Sequence, residues 1–287
     1  MDRIRRNERM AALTKWLTEA PNRIFTLSHF CDQFGAAKST LSEDVDILRE
    51  VFDLFGLGKL ETVTGAAGGV RYRPWLKPET AYSFLNDLCQ ELSSPSRVLP
   101  GGFLYLSDIL SMHELVSKMG IIIAQQFYDA EPDFVLTMET KGIPVALMTS
   151  QAMGLPLVIA RRSSKVYEGS AVNINYVSGS SGHIETMSLS RRAVSEGQKA
   201  LIVDDFLKAG GTAKGMIDLM NEFNVQVVGS AFVMATENPK QKCVRGEKAL
   251  MTMNLDNDDP ATLEVRPSQW VEAMLPLREG DLQKAKK

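Results

Sequence analysis

Asp204 and Asp205 close the apolar run Leu201-Ile202-Val203, and Lys208-Ala209-Gly210-Gly211-Thr212 follows after only Phe206 and Leu207. Two adjacent carboxylates can accept hydrogen bonds from vicinal hydroxyls or hold a divalent cation through its waters. A glycine turn ahead of a helix gathers backbone N–H groups at the positive end of the helix dipole, where a phosphate binds. Together these residues suit a phosphorylated sugar. An apolar run ending in acids reads as a buried parallel strand, and ligands of open α/β sheets sit beyond the carboxyl ends of such strands. Ala213 to Phe223 supplies the helix. The plainer alternative is a strand ending in a capped turn.

Three other segments are candidates for the same ligand. Glu139, Thr140, Lys141 and Gly142 form a short loop between a strand, Phe134 to Met138, and a helix, Pro144 to Met153. Its backbone amides and Lys141 suit a pyrophosphate, although by itself the loop reads equally as an ordinary turn. Arg161 to Ser170 and Tyr176 to Gly182 are polar and glycine-rich between apolar stretches. They read either as a surface hairpin or as a lid, with Arg161, Arg162 and Lys165 at its base facing a polyphosphate. Phe103-Leu104-Tyr105-Leu106 is expected to be a hood or an edge strand, with Tyr105 a candidate contact.

The elements that must position these residues alternate. A long apolar helix over Ser111 to Phe127 precedes the strand at Phe134. Beyond Met153 come a strand at Pro156 to Ala160, an irregular stretch to Leu189, a strand at Lys199 to Val203, and a further strand at Val225 to Met234 after the helix. Alternation of this kind predicts an α/β domain built on a parallel sheet.

The first 75 residues read differently. Ile4, Met10, Leu13, Trp16 and Leu17 recur at helical spacing, and Pro21-Asn22 ends that helix. A short helix begins near Thr26 to His29 and runs to Phe34, capped by Thr26 or Ser28. After Gly35-Ala36-Ala37, a third helix covers Lys38 to Phe55, with Leu41, Val45, Leu48 and Val51 on one face. Two strands, Gly58 to Thr64 and Val70 to Arg73, then flank a glycine-rich loop. The sum is a winged helix-turn-helix. Lys38, Ser39, Thr40 and Ser42 stand at the end of the third helix that would read base edges. Lys59, Arg71 and Arg73 on the wing, with Arg3, Arg5 and Arg6 at the N-terminus, would reach phosphates on the same face. Residues 1–75 carry 11 basic and 10 acidic side chains, so bulk charge does not separate DNA binding from a protein-interaction role. A boundary is expected near Pro74 to Pro78, followed by a linker helix over Pro78 to Leu92.

Composition bounds the rest. With 287 residues, 44% of them hydrophobic, the chain should form roughly two domains, 1–75 and 76–287. A net charge of −3 excludes a broadly basic nucleic-acid coat. Three scattered cysteines in no metal-ligand spacing predict a reduced, cytoplasmic chain with no disulfide framework and no resident metal. The charged N-terminus and short apolar runs predict neither a signal peptide nor a membrane partner.

Asp-Asp, four residues, then Gly-Gly-Thr resembles the phosphoribosyl pyrophosphate motif of the type I phosphoribosyltransferases. That resemblance implies that the acids hold ribose hydroxyls, that Phe206 and Lys208 to Thr212 surround the 5′-phosphate, and that Glu139 to Gly142 hold pyrophosphate. The whole chain is similar to the purine operon repressors of Gram-positive bacteria, most specifically in Glu168-Gly169-Ser170, Ile174 to Ser181 and Asp204 to Thr212. The resemblance implies a winged helix-turn-helix joined to a phosphoribosyltransferase-like domain that binds phosphoribosyl pyrophosphate (PRPP) as an effector, with Mg2+ held through the acidic pair. It also implies a homodimer on paired boxes of double-stranded DNA upstream of purine genes, with binding weakened by the effector. Some relatives activate instead. The residues bear independently on catalysis: the 6-oxopurine transferases place a general-base carboxylate three positions beyond the second acid, where this chain has Lys208. An ordinary lysine is protonated at neutral pH and does not serve as that base. A sensor is therefore expected, against the alternative of an active purine phosphoribosyltransferase with an accessory N-terminal domain.

Overall fold

The computed structural model describes residues 4–65, 68–163, 169–178 and 182–276. The first domain is three helices, α1 (Arg6–Glu19), α2 (Leu27–Phe34) and α3 (Lys38–Phe55), followed by the antiparallel pair β1 (Lys59–Val63) and β2 (Gly69–Arg73). Leu13, Leu17, Phe30, Leu41, Val45, Leu48 and Phe52 meet in its core, each recurring at the spacing of one helical face. Thr26 caps α2 by accepting the His29 N–H. Phe25 pairs with Val70 through two 2.9 Å backbone bonds and so adds a third line of hydrogen bonds to the wing.

α4 (Pro78–Leu92) runs over the span expected of a linker, yet it is not one. Ala81, Leu85, Leu88, Cys89 and Leu92 are all buried in the core of the second domain. Its apolar stripe needs a partner, and the sheet supplies it.

That sheet has six strands in the order β12-β11-β10-β9-β5-β6. β5 (Phe134–Met138), β6 (Leu157–Ala160), β9 (Lys199–Leu207), β10 (Gln226–Thr236) and β11 (Lys248–Asn254) are parallel; β12 (Glu264–Pro267) is an antiparallel edge. Side chains alternate between two covers, as the strand period requires. Val135, Leu201 and Val203 face a core shared with α4, α5 (Ser107–Ser111), α6 (His113–Phe127) and α7 (Ile143–Met153). Phe134, Leu136, Ala200 and Ile202 face the opposite way, against α8 (Gly211–Glu222) and the hairpin β7 (Ala171–Val177) to β8 (Ile184–Ser190). Burial on both faces is why these strands read as continuous apolar runs.

Three sequence expectations change here, and the hood is as expected. The stretch expected to be irregular contains the paired strands β7 and β8. The single helix expected over Ser111 to Phe127 is broken at Met112 into α5 and α6. β11 and β12 were not anticipated. Phe103–Leu104 is β4, paired with β3 (Val98–Leu99) as a small hood. A last short helix, α9 (Gln269–Glu272), packs near α4. Among the described residues no helix is long and apolar enough to cross a membrane.

The two domains are bonded to each other. At the boundary, the Gln125 amide holds the start of the second domain, accepting from the Leu76 N–H and donating to its carbonyl. Tyr128 donates its hydroxyl to the Pro74 carbonyl at 2.9 Å, and Arg73 stacks its guanidinium 4.7 Å from the Tyr128 ring.

Candidate functional site

β9 continues past Val203, so Asp204 and Asp205 lie inside the strand at its carboxyl end and the loop 208–210 turns directly into α8. A cavity of about 650 Å³ opens there. Its walls include Glu139, Thr140 and Lys141 from the loop after β5, then Arg162, Asp204, Asp205 and Phe206, and the whole run Leu207 to Ala213. Three sequence-distant segments expected to share one ligand therefore share one cavity.

Gly142 shows how tightly the first loop sits against the acids. A Cβ at that position would come within 1.9 Å of Asp204 Oδ1 and 2.6 Å of Thr137 Oγ1, so only glycine lets the loop approach. Asp204 is 7% exposed and its Oδ1 accepts the Asp205 N–H at 3.0 Å. Burial, and then the charge of Asp205, hold the Asp204 carboxyl well above the ordinary aspartate range. Burial also raises Asp205, while hydrogen bonding to Asp204 and the charge of Lys141 pull it back. Two buried neighbouring carboxyls resist carrying two charges, and hydroxyl donors or a cation with its waters would relieve them.

The base of the proposed lid is tied down. The Arg162 N–H donates to Glu139 Oε1 at 2.7 Å and its guanidinium to Glu185 Oε2 at 2.6 Å. Tyr176 donates to that same Glu185 oxygen at 2.8 Å, and burial pushes its hydroxyl up to about 12. Arg161 pairs with Ser188 through the backbone and stands 3.8 Å from Glu139. Arg162 lines the cavity; Arg161 stands behind it. Lys165 lies outside the described residues, as does Arg3.

The hood corrects one expectation. Leu99, Pro100, Phe103, Leu104 and Leu106 line the cavity, whereas Tyr105 does not; its backbone N–H binds the Arg97 carbonyl. Tyr105 is exposed, outside the wall that Phe103, Leu104 and Leu106 form. Phe103 carries the Lys208 ammonium 5.4 Å from its ring centre.

On the first domain, a groove of about 480 Å³ runs between the starts of α2 and α3 and the wing. Ser28, Lys38, Ser42, Asp46, Arg49, Thr62 and Thr64 line it. Lys38, Ser39 and Ser42 are exposed and Thr40 is half-buried. Among the described residues, the other cations expected on this face are engaged within the chain. Arg5 pairs with Glu8, and Arg6 with Glu43 and Asp44. Arg71 and Arg73 both pair with Glu61, at 2.9 and 3.3 Å, and the Lys59 ammonium sits 3.3 Å from the Trp75 ring centre. Arg49, not singled out from sequence, fastens the wing to α3: it donates to the Leu60 carbonyl at 3.1 Å and Thr62 Oγ1 at 2.8 Å.

Comparison with known proteins agrees with this architecture. The sequence model described as the N-terminal domain of the bacterial purine repressor matches residues 5–74, and the phosphoribosyl transferase domain matches residues 106–261. A purine biosynthesis transcriptional repressor of Bacillus subtilis (strain 168) is 42% identical over 269 residues, 94% of each chain. A purine biosynthesis transcriptional activator of Lactococcus lactis subsp. lactis (strain IL1403) is 38% identical over 88% of this chain and 93% of its own. Among solved structures, an adenine phosphoribosyltransferase from Rhodothermus marinus DSM 4252 superposes with a TM-score of 0.51 at 20% identity, over 60% of this chain and 99% of that one, a likeness of fold alone. Identity of this extent to whole-length relatives, with both domains matched in order, shows that the chain belongs to the bacterial purine repressor family, in which a repressor N-terminal domain precedes a phosphoribosyl transferase domain.

Proposed function

We propose that this chain is a DNA-binding transcriptional regulator of purine biosynthesis genes, most simply a repressor, whose affinity for DNA is set by PRPP. The observation that carries the reading is the single cavity uniting Glu139 to Lys141, the acidic pair and the loop 208–212, with Gly142 packed against Asp204 behind it. Asp204 and Asp205 accept from the ribose hydroxyls, and through water they hold Mg2+. Ala209 to Thr212 present N–H groups to the 5′-phosphate at the start of α8, and Thr140 to Gly142 with Lys141 face the pyrophosphate. Arg162 adds positive charge at the rim.

Nothing in this assignment requires turnover. Lys208 occupies the position of the transferase base and offers a cation there. The groove on the first domain, with Lys38, Ser39 and Ser42 at the head of α3, faces the major groove, and a homodimer brings two such heads to paired boxes. Effector and DNA then act through linkage: PRPP lowers DNA affinity by the factor by which DNA lowers PRPP affinity.

The test is a titration of purine-gene upstream DNA at fixed salt, with and without PRPP and Mg2+. Specific binding that weakens with PRPP is expected. Binding indifferent to PRPP, or nucleotide formed when purine bases are added with PRPP, overturns the sensor reading.

A further inference from the structure

The segment 237–247, between β10 and β11, lies behind the loop 208–210 and touches it at two successive peptides. Lys242 donates its ammonium to the Lys208 carbonyl, and also to the Thr236 carbonyl at 2.8 Å and Thr236 Oγ1 at 3.0 Å. The next residue, Cys243, donates its backbone N–H to the Ala209 carbonyl at 2.8 Å. Three acceptors satisfy all three ammonium protons, and none of those acceptors is a carboxylate. The ammonium is thus spent on backbone and hydroxyl oxygens, and burial lowers its proton affinity despite Glu247 nearby.

The consequence follows from peptide geometry. The 208–209 and 209–210 peptides are trans, so in each the N–H points opposite to the C=O. Carbonyls drawn back toward Lys242 and Cys243 aim the N–H groups of Ala209 and Gly210 the other way, toward the cavity that these residues line. Neither N–H meets a protein acceptor among the described residues. Two successive outward N–H groups ahead of a helix form a nest for an anion.

We infer that Lys242, together with the Cys243 N–H, is a clamp that sets the two peptides of the phosphate loop, making Lys242 a positioning residue for 5′-phosphate recognition although it touches no ligand. This rests on the reading of the cavity as a phosphoribosyl site. Lys242→Met keeps most of the side chain's apolar length and removes its donors. The loop then loses one of its two anchors, and the peptide at 208–209 is free to turn.

The experiment is calorimetric titration of the full chain with two probes: ribose 5-phosphate, which needs the loop 208–212, and magnesium pyrophosphate, which needs Thr140 to Gly142. In Lys242→Met, ribose 5-phosphate should bind about tenfold more weakly, the cost of a lost hydrogen bond involving a charged group, and magnesium pyrophosphate within about twofold of the native chain. Lys242→Arg should recover most of the loss. A general defect would weaken both probes alike and overturn the clamp, as would unchanged ribose 5-phosphate affinity. If Lys242→Met does not fold, the same comparison is made in Lys242→Gln, whose amide retains two donors, and an intermediate, probe-selective loss is expected; no selective loss overturns the clamp. Failure of the native chain to bind either probe would instead overturn the phosphoribosyl reading itself.

Discussion

Asn22 donates its side-chain amide to the Ala152 carbonyl at 2.9 Å, joining the turn after α1 to the last turn of α7. The first turn of α7 begins beside Gly142, against Asp204. One eleven-residue helix therefore has one end at the candidate effector site and the other on the DNA-binding domain. Gly154, at φ +66°, closes α7 so near that domain that a Cβ would lie 2.2 Å from the Pro21 carbonyl.

Asn22→Gly preserves a left-handed backbone, since Asn22 has φ 61°, while removing the amide. Effector affinity should stay within about twofold, while the effector's influence on DNA affinity falls by about fivefold or more, a loss of roughly 1 kcal/mol of coupling. DNA titrations with and without PRPP read this directly; undiminished coupling excludes a role for the contact.

Gly142→Ala forces a methyl group against Asp204 and Thr137. Overpacking of this kind costs about 1–3 kcal/mol unless the loop retreats, and retreat takes Lys141 away from the acids. PRPP affinity should fall by at least about tenfold, as calorimetry would measure.

Asp204→Asn should abolish effector binding and yet stabilise the protein near neutral pH. The folded-state pKa of Asp204 is raised above its unfolded value by burial and by Asp205. Its favourable contribution is thus fully present below the unfolded pKa and is lost as pH rises through the folded one. At neutral pH the native chain bears that cost and the amide does not, so the variant should unfold about 1 kcal/mol less readily, with the advantage vanishing in acid. Thermal melts at several pH values check the sign; an advantage that grows in acid contradicts it.

Arg9→Met tests the brace between α1 and α3. Asp44 is 0% exposed and receives Arg9 at 2.8 Å and Arg6 at 2.9 Å. Loss of one partner leaves a buried charge half-satisfied, so the first domain should lose about 3 kcal/mol, visible in urea unfolding followed by tryptophan fluorescence of a chain in which Trp75 and Trp270 are replaced by Phe. Arg6→Met, at the more exposed partner, should cost less.

Lys38→Ala should weaken DNA binding while reducing the slope of log affinity against log salt by about 1. Arg73→Ala, by contrast, removes a 14% exposed guanidinium held by Glu61, and should leave that slope unchanged. A full unit lost on removing Arg73 would place it on phosphate instead.

Much of this was legible in the residues. The bounds of α3 and α4 follow from apolar spacing and from the glycines and prolines around them, and the acidic pair with its glycine turn marked the cavity before any geometry was known. What failed had physical reasons. The helix at Pro78 to Leu92 has an amphipathic pattern that does not say which domain covers it. β7 and β8 do alternate apolar with polar residues, as at Val172, Ile174 and Tyr176, but the glycine- and serine-rich stretches around them obscure that pattern. The basic residues of the wing carry no mark of the acid that neutralises them, because Glu61 lies ten and twelve positions away. Lys242 had no local signal: its partners lie at Lys208 and Thr236, and only the fold brings them together.

α7 is a stiff rod about 16 Å long at 1.5 Å per residue. A rod of that length tilting by about 10° about one end carries the other end about 3 Å, the span of one hydrogen bond. The Asn22 amide and the Ala152 carbonyl would be parted by no more than that, so the effector response proposed above calls for no large rearrangement. Lever length and bond length are matched.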